Sequence, residues 1–306
     1  MKRDFLAMAD VSKEQLEELL NRADFMKKSI QGGKKDLDLL KGKNVITLFY
    51  ENSTRTRCSF ESAAKYLGAS AIGITTSGSS VQKGESLIDT AVTLDKMMAD
   101  VIIIRHSVAG AANIIAKHTK ASVINAGDGM HAHPTQALLD MYTMREKFGF
   151  LKGLEVAIIG DVKHSRVAQS NIVGLSKMGA KVKVFAPNTL MPKGIENQPC
   201  KVCKNVDEAF KGSDVIMGLR IQLERQQKGL FPSVEEYNRF YGVTAERLKT
   251  CNKGVIVMHP GPANRGIEID CDVLDSQICY KDEQVTNGVA TRMALLEWVS
   301  VEQKRK

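Results

Sequence analysis

The segment Glu51-Asn52-Ser53-Thr54-Arg55-Thr56-Arg57 gathers hydroxyls and guanidinium groups directly after an apolar run at 45–50 and before a helical pattern at 60–67. A helix N-terminus carries roughly +0.5 of a charge and offers unpaired backbone N–H groups, and an arginine can grip two oxygens of one phosphate. The arrangement therefore suits a phosphate cradle. Ser53 or Thr54 could instead cap the helix while the arginines are solvated, but two arginines and three hydroxyls in five residues favour the anion. No GxxxxGK[ST] occurs, so this is not a Walker loop. The run at 156–159 leads into Gly160-Asp161-Val162-Lys163-His164-Ser165-Arg166 without GxGxxG, which disfavours nicotinamide chemistry.

Further chemistry sits after other apolar runs: Arg105-His106 after 101–104, Asn125-Ala126-Gly127-Asp128 after Val123, and Arg220 with Gln222 after 215–219. Ligands of open α/β sheets gather beyond the carboxyl ends of the strands, so cationic groups recurring there point to an anionic ligand. In His131-Ala132-His133-Pro134-Thr135-Gln136, the proline suits a first helical position, which puts His133 near the N-cap and Gln136 one turn later on the same side. A histidine there could polarise a carbonyl while the glutamine orients an amide. His131 and His133 lack a neighbouring acidic or third histidine ligand, so hydrogen bonding is preferred to metal binding. Cys200 and Cys203 have metal-ligand spacing, yet no second CxxC or HxxxH accompanies them, and loop and core thiols are expected. No metal and no cofactor are expected.

These residues need a scaffold. With 306 residues, 43% hydrophobic and 25% charged, the chain can fill two cores. Ser12 and Gln15 stand in capping-box positions ahead of Leu16, Leu19, Leu20 and Ala23 at helical spacing. Short apolar runs then alternate with helical patterns: 45–50, 60–67, 69–74, 85–98, 101–104, 123–125 and 134–148. After a turn region at 147–153 the rhythm restarts with 156–160, a helix through Met178, 181–185, 215–219 and 254–258. Such alternation predicts an α/β fold of two doubly wound, Rossmann-like parallel-sheet lobes with the active site between them. A last helical pattern at 289–299 could fold back on either lobe; the expected division is 1–150 joined by a C-terminal helix at 286–306, and 151–285. The polar stretch 220–228 reads equally as a solvated loop or a lid.

The net charge of +8 admits nucleic acid, an acidic surface or small anions. The lysines are scattered and the chain is only 6% aromatic, which argues against nucleic acid and for a small anionic ligand. No apolar run approaches the roughly 18 residues of a membrane span, and the first ten residues lack the apolar stretch of a signal peptide. A cytoplasmic protein without membrane contact is expected, its six cysteines reduced.

Taken together, these segments resemble the aspartate and ornithine carbamoyltransferase family. Ser53-Thr54-Arg55-Thr56-Arg57 is similar to its carbamoyl-phosphate signature, and His133-Pro134-Thr135-Gln136 to its second element. His164-Ser165-Arg166, Arg220-Ile221-Gln222 and His259-Pro260-Gly261-Pro262 resemble the aspartate-specific members. The ornithine-specific members typically carry His-Cys-Leu-Pro where this chain has His259 to Pro262. The resemblance runs from about Leu48 to Trp298, with the motifs in the expected order.

The resemblance implies transfer of the carbamoyl group of carbamoyl phosphate to L-aspartate, giving N-carbamoyl-L-aspartate and phosphate, a step of de novo pyrimidine biosynthesis. It implies that Arg55, Thr56 and Arg105 hold the phosphate with Ser53 and Thr54, and that His133 binds the carbamoyl oxygen. Gln136 and the backbone around Gly261 and Pro262 would face the carbamoyl amino group, and Arg166, Arg220 and Gln222 the aspartate carboxylates. Ser79-Ser80-Val81-Gln82-Lys83-Gly84-Glu85 resembles the family's mobile loop, which enters the neighbouring subunit's site. Lys83 would touch both substrates and Ser79 the phosphate, which implies a homotrimer with shared sites. Gln82 stands where some relatives have a second lysine, so the loop is less basic. A regulatory chain or dihydroorotase as a further partner is left open.

Overall fold

Ser12 opens the first helix, α1 (Lys13–Gln31), with both halves of a capping box: its Oγ accepts from Gln15 N at 3.2 Å, and Gln15 Oε1 accepts from Ser12 N at 2.9 Å. Leu16, Leu19, Leu20, Ala23 and Met26 form the buried stripe. The computed structural model describes residues 2–75, 84–221 and 233–301. Ser79, Lys83, Gln222 and most of the 220–228 stretch lie outside the described residues.

After α1 come β1 (Asn44–Phe49), α2 (Thr54–Tyr66), β2 (Ser70–Thr75), α3 (Leu87–Lys96), β3 (Val101–His106), α4 (Ala111–His118), β4 (Ser122–Asp128) and α5 (Pro134–Phe148). The strands form one parallel sheet in the order β2-β1-β3-β4. The apolar residues of β1, β3 and β4 are buried on both faces of the sheet, as parallel strands covered by helices require. Ile46, Leu48, Ile102 and Ile104 pack with Leu94 of α3 and Ala112 and Ile115 of α4. Each large side chain so buried contributes about 2 kcal/mol. β2 is an edge strand whose first four residues are exposed.

The second series comprises β5 (Glu155–Ile159), α6 (Arg166–Lys177), β6 (Lys181–Phe185), β7 (Lys201–Val202), α7 (Val206–Phe210), β8 (Val215–Gly218), α8 (Val234–Tyr241), α9 (Ala245–Leu248), β9 (Ile256–Met258) and α10 (Cys271–Leu274), followed by α11 (Lys281–Ser300). Its parallel sheet has the order β7-β6-β5-β8-β9. Ile159, Phe185, Phe210, Ile216, Val257 and Ile269 share one core cluster. The two-residue edge strand β7 has no apolar run and escapes a pattern-based reading.

The chain divides into two compact units, Met1–Tyr142 with Val285–Lys306, and Thr143–Gln284. It passes from one to the other inside α5 and returns inside α11. The returning part of α11 is tied to α1 of the first unit: Arg22 Nη2 donates to Glu297 at 2.7 Å, and Trp298 Nε1 donates to Glu18 at 3.2 Å. In each unit the strand order reverses at one place, between β1 and β3 and between β5 and β8. Those switch points are where open parallel sheets bind ligands.

Candidate active site

In the first unit, β1 ends at Phe49 and the chain turns into α2 through Ser53, which occupies the N-cap. Its hydroxyl makes no capping bond, unlike those of Ser86 and Ser165 at other helix starts. The first intrahelical bond is Arg57 N to Ser53 O, at 3.1 Å. The amides of Thr54, Arg55 and Thr56 thus face the helix entrance without an intrahelical acceptor. Thr56 is buried and Arg55 exposed, whereas Arg57 turns back to Glu61, at 3.7 Å. Ser53 thus holds the N-cap position without a side-chain capping bond, and of the two arginines Arg57 is the one paired within the helix, with Glu61.

Arg105 is the penultimate residue of β3, paired with Phe49 of β1. Its Nε lies 3.4 Å from Glu51 Oε2 and its Nη1 donates to Ala126 O, at 3.4 Å. Glu51 was not singled out in the sequence; a lone glutamate after a strand gives no signal until the neighbouring strand's arginine is known. His106, next along, packs against Tyr50 with ring centroids 4.6 Å apart and planes tilted by 54°. Its Nδ1 accepts from Val108 N at 2.9 Å, and burial pushes its pKa below the ordinary histidine value.

His133 precedes α5 and is 4% exposed; its carbonyl accepts from Gln136 N and Ala137 N. Thr135 Oγ1 lies 3.3 Å from its Nδ1. The loop leading to it is held by the buried Asp128, whose carboxylate accepts from Gly110 N (2.7 Å), Ala132 N (3.1 Å) and Asn125 Nδ2 (2.8 Å) and meets His131 Nδ1 at 2.9 Å. His131 is thus a partner of Asp128. Gln136 donates through Nε2 to Asp140 Oδ1 at 2.9 Å. Ser53, Thr54, Arg55, Thr56, Arg105, His133 and Gln136 accordingly lie at or after the carboxyl ends of three strands, β1, β3 and β4, that neighbour one another in one sheet.

In the second unit, Arg166 is the first residue of α6, which follows β5, and is 5% exposed; Ser165 caps that helix by accepting from Ala168 N at 3.1 Å. Arg220 lies just beyond β8, the neighbour of β5. The two strand ends approach so closely at Gly160 (φ 130°) that a Cβ there would meet Leu219 O at 2.9 Å, which requires glycine. Beyond β9, His259 Nδ1 accepts from Gly261 N at 2.9 Å, so Nε2 carries the proton and donates to Glu268 Oε1 at 3.1 Å. Glu268 also accepts from Asn264 N, at 2.6 Å, and Asn264 Nδ2 donates to Ile221 O, at 3.1 Å. This buried network fixes the segment carrying Gly261 and the cis-linked Pro262. Arg166, Arg220, Gly261 and Pro262 follow the adjacent strands β5, β8 and β9.

Among the described residues no three His, Cys, Asp or Glu side chains gather as metal ligands. Burial pushes the Cys200 thiol up to about 11 and raises that of Cys203.

Residues 3–146 match the family model for the aspartate/ornithine carbamoyltransferase carbamoyl-P binding domain, and residues 152–299 match that for its Asp/Orn binding domain. The chain belongs to the aspartate/ornithine carbamoyltransferase family. It is 59% identical over 294 residues to the aspartate carbamoyltransferase catalytic subunit of Ruminiclostridium cellulolyticum, covering 96% of this chain and 94% of that one. Among solved structures, aspartate transcarbamoylase from Trypanosoma cruzi in complex with carbamoyl phosphate is 31% identical with a TM-score of 0.88, covering 98% of this chain and 96% of that chain. The catalytic subunit of M. jannaschii aspartate transcarbamoylase is 38% identical with a TM-score of 0.83, covering 98% of each chain. The carbamoyltransferase fold thus extends over both units, and each strand-end cluster falls in a segment that the corresponding domain model matches.

Proposed function

We infer that the chain is a carbamoyltransferase that moves the carbamoyl group of carbamoyl phosphate to the amino group of L-aspartate, in de novo pyrimidine biosynthesis. The observation that carries the choice of aspartate is the placement of Arg166 and Arg220 after the adjacent strands β5 and β8. Two guanidinium groups suit a substrate with two carboxylates, and a diamine such as ornithine would be repelled there. The first unit is the carbamoyl-phosphate-binding domain and the second the aspartate-binding domain.

Arg55, Thr56, Arg105 and the α2 amides, with Ser53 and Thr54, hold the phosphate, while Gln136 and the backbone of Gly261 and Pro262 face the carbamoyl amino group. The neutral amine of aspartate attacks the carbamoyl carbon, negative charge grows on the carbamoyl oxygen, and the C–O bond to phosphate breaks. His133, Arg105 and Thr56 stabilise that oxyanion. The departing phosphate accepts the amine proton, so no protein nucleophile or carboxylate base is needed. Lys83 and Ser79 enter from a neighbouring subunit of a homotrimer, Lys83 touching both substrates, and Gln222 joins Arg166 and Arg220 on aspartate. Apolar side chains left exposed on edge strand β2 (Ile72, 50%) and on or just after α3 (Ile88 42%, Val92 41%, Met97 63%) support a subunit contact near the segment that carries Lys83. A cytoplasmic location agrees with the absence, among the described residues, of any helix long and apolar enough to cross a membrane.

A panel of amine acceptors tests the reading. Phosphate release from carbamoyl phosphate should depend on L-aspartate, fall steeply with L-asparagine, which lacks the side-chain carboxylate, and be absent with ornithine. Release with ornithine equal to that with aspartate would overturn it.

A further inference from the structure

Gln136 cannot choose by itself which end of its amide points at a ligand, because oxygen and nitrogen occupy nearly the same space. The protein makes the choice through Asp140, one helical turn along α5 and 0% exposed, whose Oδ1 accepts from Gln136 Nε2 at 2.9 Å. An ionised carboxylate only accepts, so the nitrogen end of Gln136 is committed to Asp140 and the oxygen end is turned away from it. Arg292 of α11, 4% exposed, is the cation on which the charge of Asp140 acts. The guanidinium has a built berth: its carbon lies 5.1 Å from the ring centroid of Phe60 on α2, and a Cβ on Gly288 would meet its Nη1 at 2.5 Å. Burial of the guanidinium lowers its pKa to about 10 in spite of the carboxylate.

We propose that Asp140 and Arg292 are positioning residues that set the polarity of the Gln136 amide and thereby make the site select an acyl phosphate bearing an N–H₂ group over one bearing a methyl group. The proposal rests on the carbamoyl-phosphate reading above. With its oxygen presented, Gln136 accepts a hydrogen bond from the carbamoyl amino group and offers a methyl group nothing. Neither Asp140 nor Arg292 need touch substrate. Asp140→Asn should invert the amide, because the asparagine oxygen turns to the buried Arg292 and its N–H₂ then requires the oxygen of Gln136.

The test compares carbamoyl phosphate with acetyl phosphate, which keeps the phosphate and carbonyl and replaces the amino group by methyl. In Asp140→Asn the KM for carbamoyl phosphate should rise about tenfold or more, while the inhibition constant of acetyl phosphate stays within about twofold. The double variant Asp140→Leu/Arg292→Met removes both buried charges without orphaning either and should remain folded, as judged by its thermal melt. It leaves the Gln136 amide unset and not inverted, so it should show a smaller loss of preference, and it serves as the folded comparison if Asp140→Asn does not fold. An unchanged ratio of the two constants in a folded variant, or equal weakening of both, would overturn the proposal. A wild-type chain that turns over no carbamoyl phosphate with aspartate would instead overturn the reading beneath it.

Discussion

At the scale of single residues, the account places oxyanion stabilisation on His133, held by the start of α5 and 4% exposed. His133→Ala should lower kcat about 100-fold, the usual consequence of removing one well-placed donor, with the KM for aspartate little changed; steady-state kinetics with each substrate varied checks both. His106 gives a prediction in pH. Its ring accepts a hydrogen bond at Nδ1 and burial depresses its pKa, so the folded state resists a proton that the unfolded state takes up near pH ~6.5. Its contribution to stability is therefore present above about pH 6.5 and is lost as the pH falls towards the folded value. Urea unfolding at about pH 7.5 and about pH 5.5 should show a smaller drop in His106→Gln than in wild type. Ser53 to Thr56, His133 and Gln136 were legible because each announces itself locally, by a cluster of hydroxyls and arginines or by proline at a helix start. Glu51, Glu268 and the role of Asp140 were not. Their meaning lies in partners such as Arg105, His259 and Arg292, which only the fold brings near.

At the scale of elements, most strands and helices follow from period alone, since β1, β3 and β5 are apolar runs and α1 carries both its cap and its stripe. What period could not supply was strand order, and with it the adjacency of the ends of β1, β3 and β4. Nor could it place the passages between units, which lie inside α5 and α11 where no turn residue marks them. The β4–α5 connection shows how an element aims a side chain. Asp128 accepts from amides on both sides of the loop, and Asp128→Asn would turn an N–H₂ towards donors in a buried place. A loss of about 2 kcal/mol in urea unfolding is expected. A variant as stable as wild type would mean the loop holds its shape without that carboxylate.

At the scale of the whole molecule, the reading requires more than one chain per complete site, because Lys83 is assigned to the neighbour. His133→Ala and Lys83→Ala should each be nearly inactive alone, yet a mixture dissociated and reassembled should regain activity in sites that take one intact residue from each chain. Light scattering should give three chain masses. Failure of the mixture to recover, with three chains assembled, would return Lys83 to its own chain's site. In the proposed reading the first unit supplies most of the carbamoyl-phosphate groups and the second the groups for the aspartate carboxylates. The claim on which the rest depends is that the carbamoyl carbon becomes bonded to the nitrogen of aspartate. Carbon-13 carbamoyl phosphate mixed with nitrogen-15 aspartate and the purified chain, followed by NMR, tests it directly. The account predicts a carbonyl resonance split by the attached nitrogen, appearing as phosphate is released. Release of the label as bicarbonate, at the rate seen without the protein and with aspartate unaltered, would contradict it.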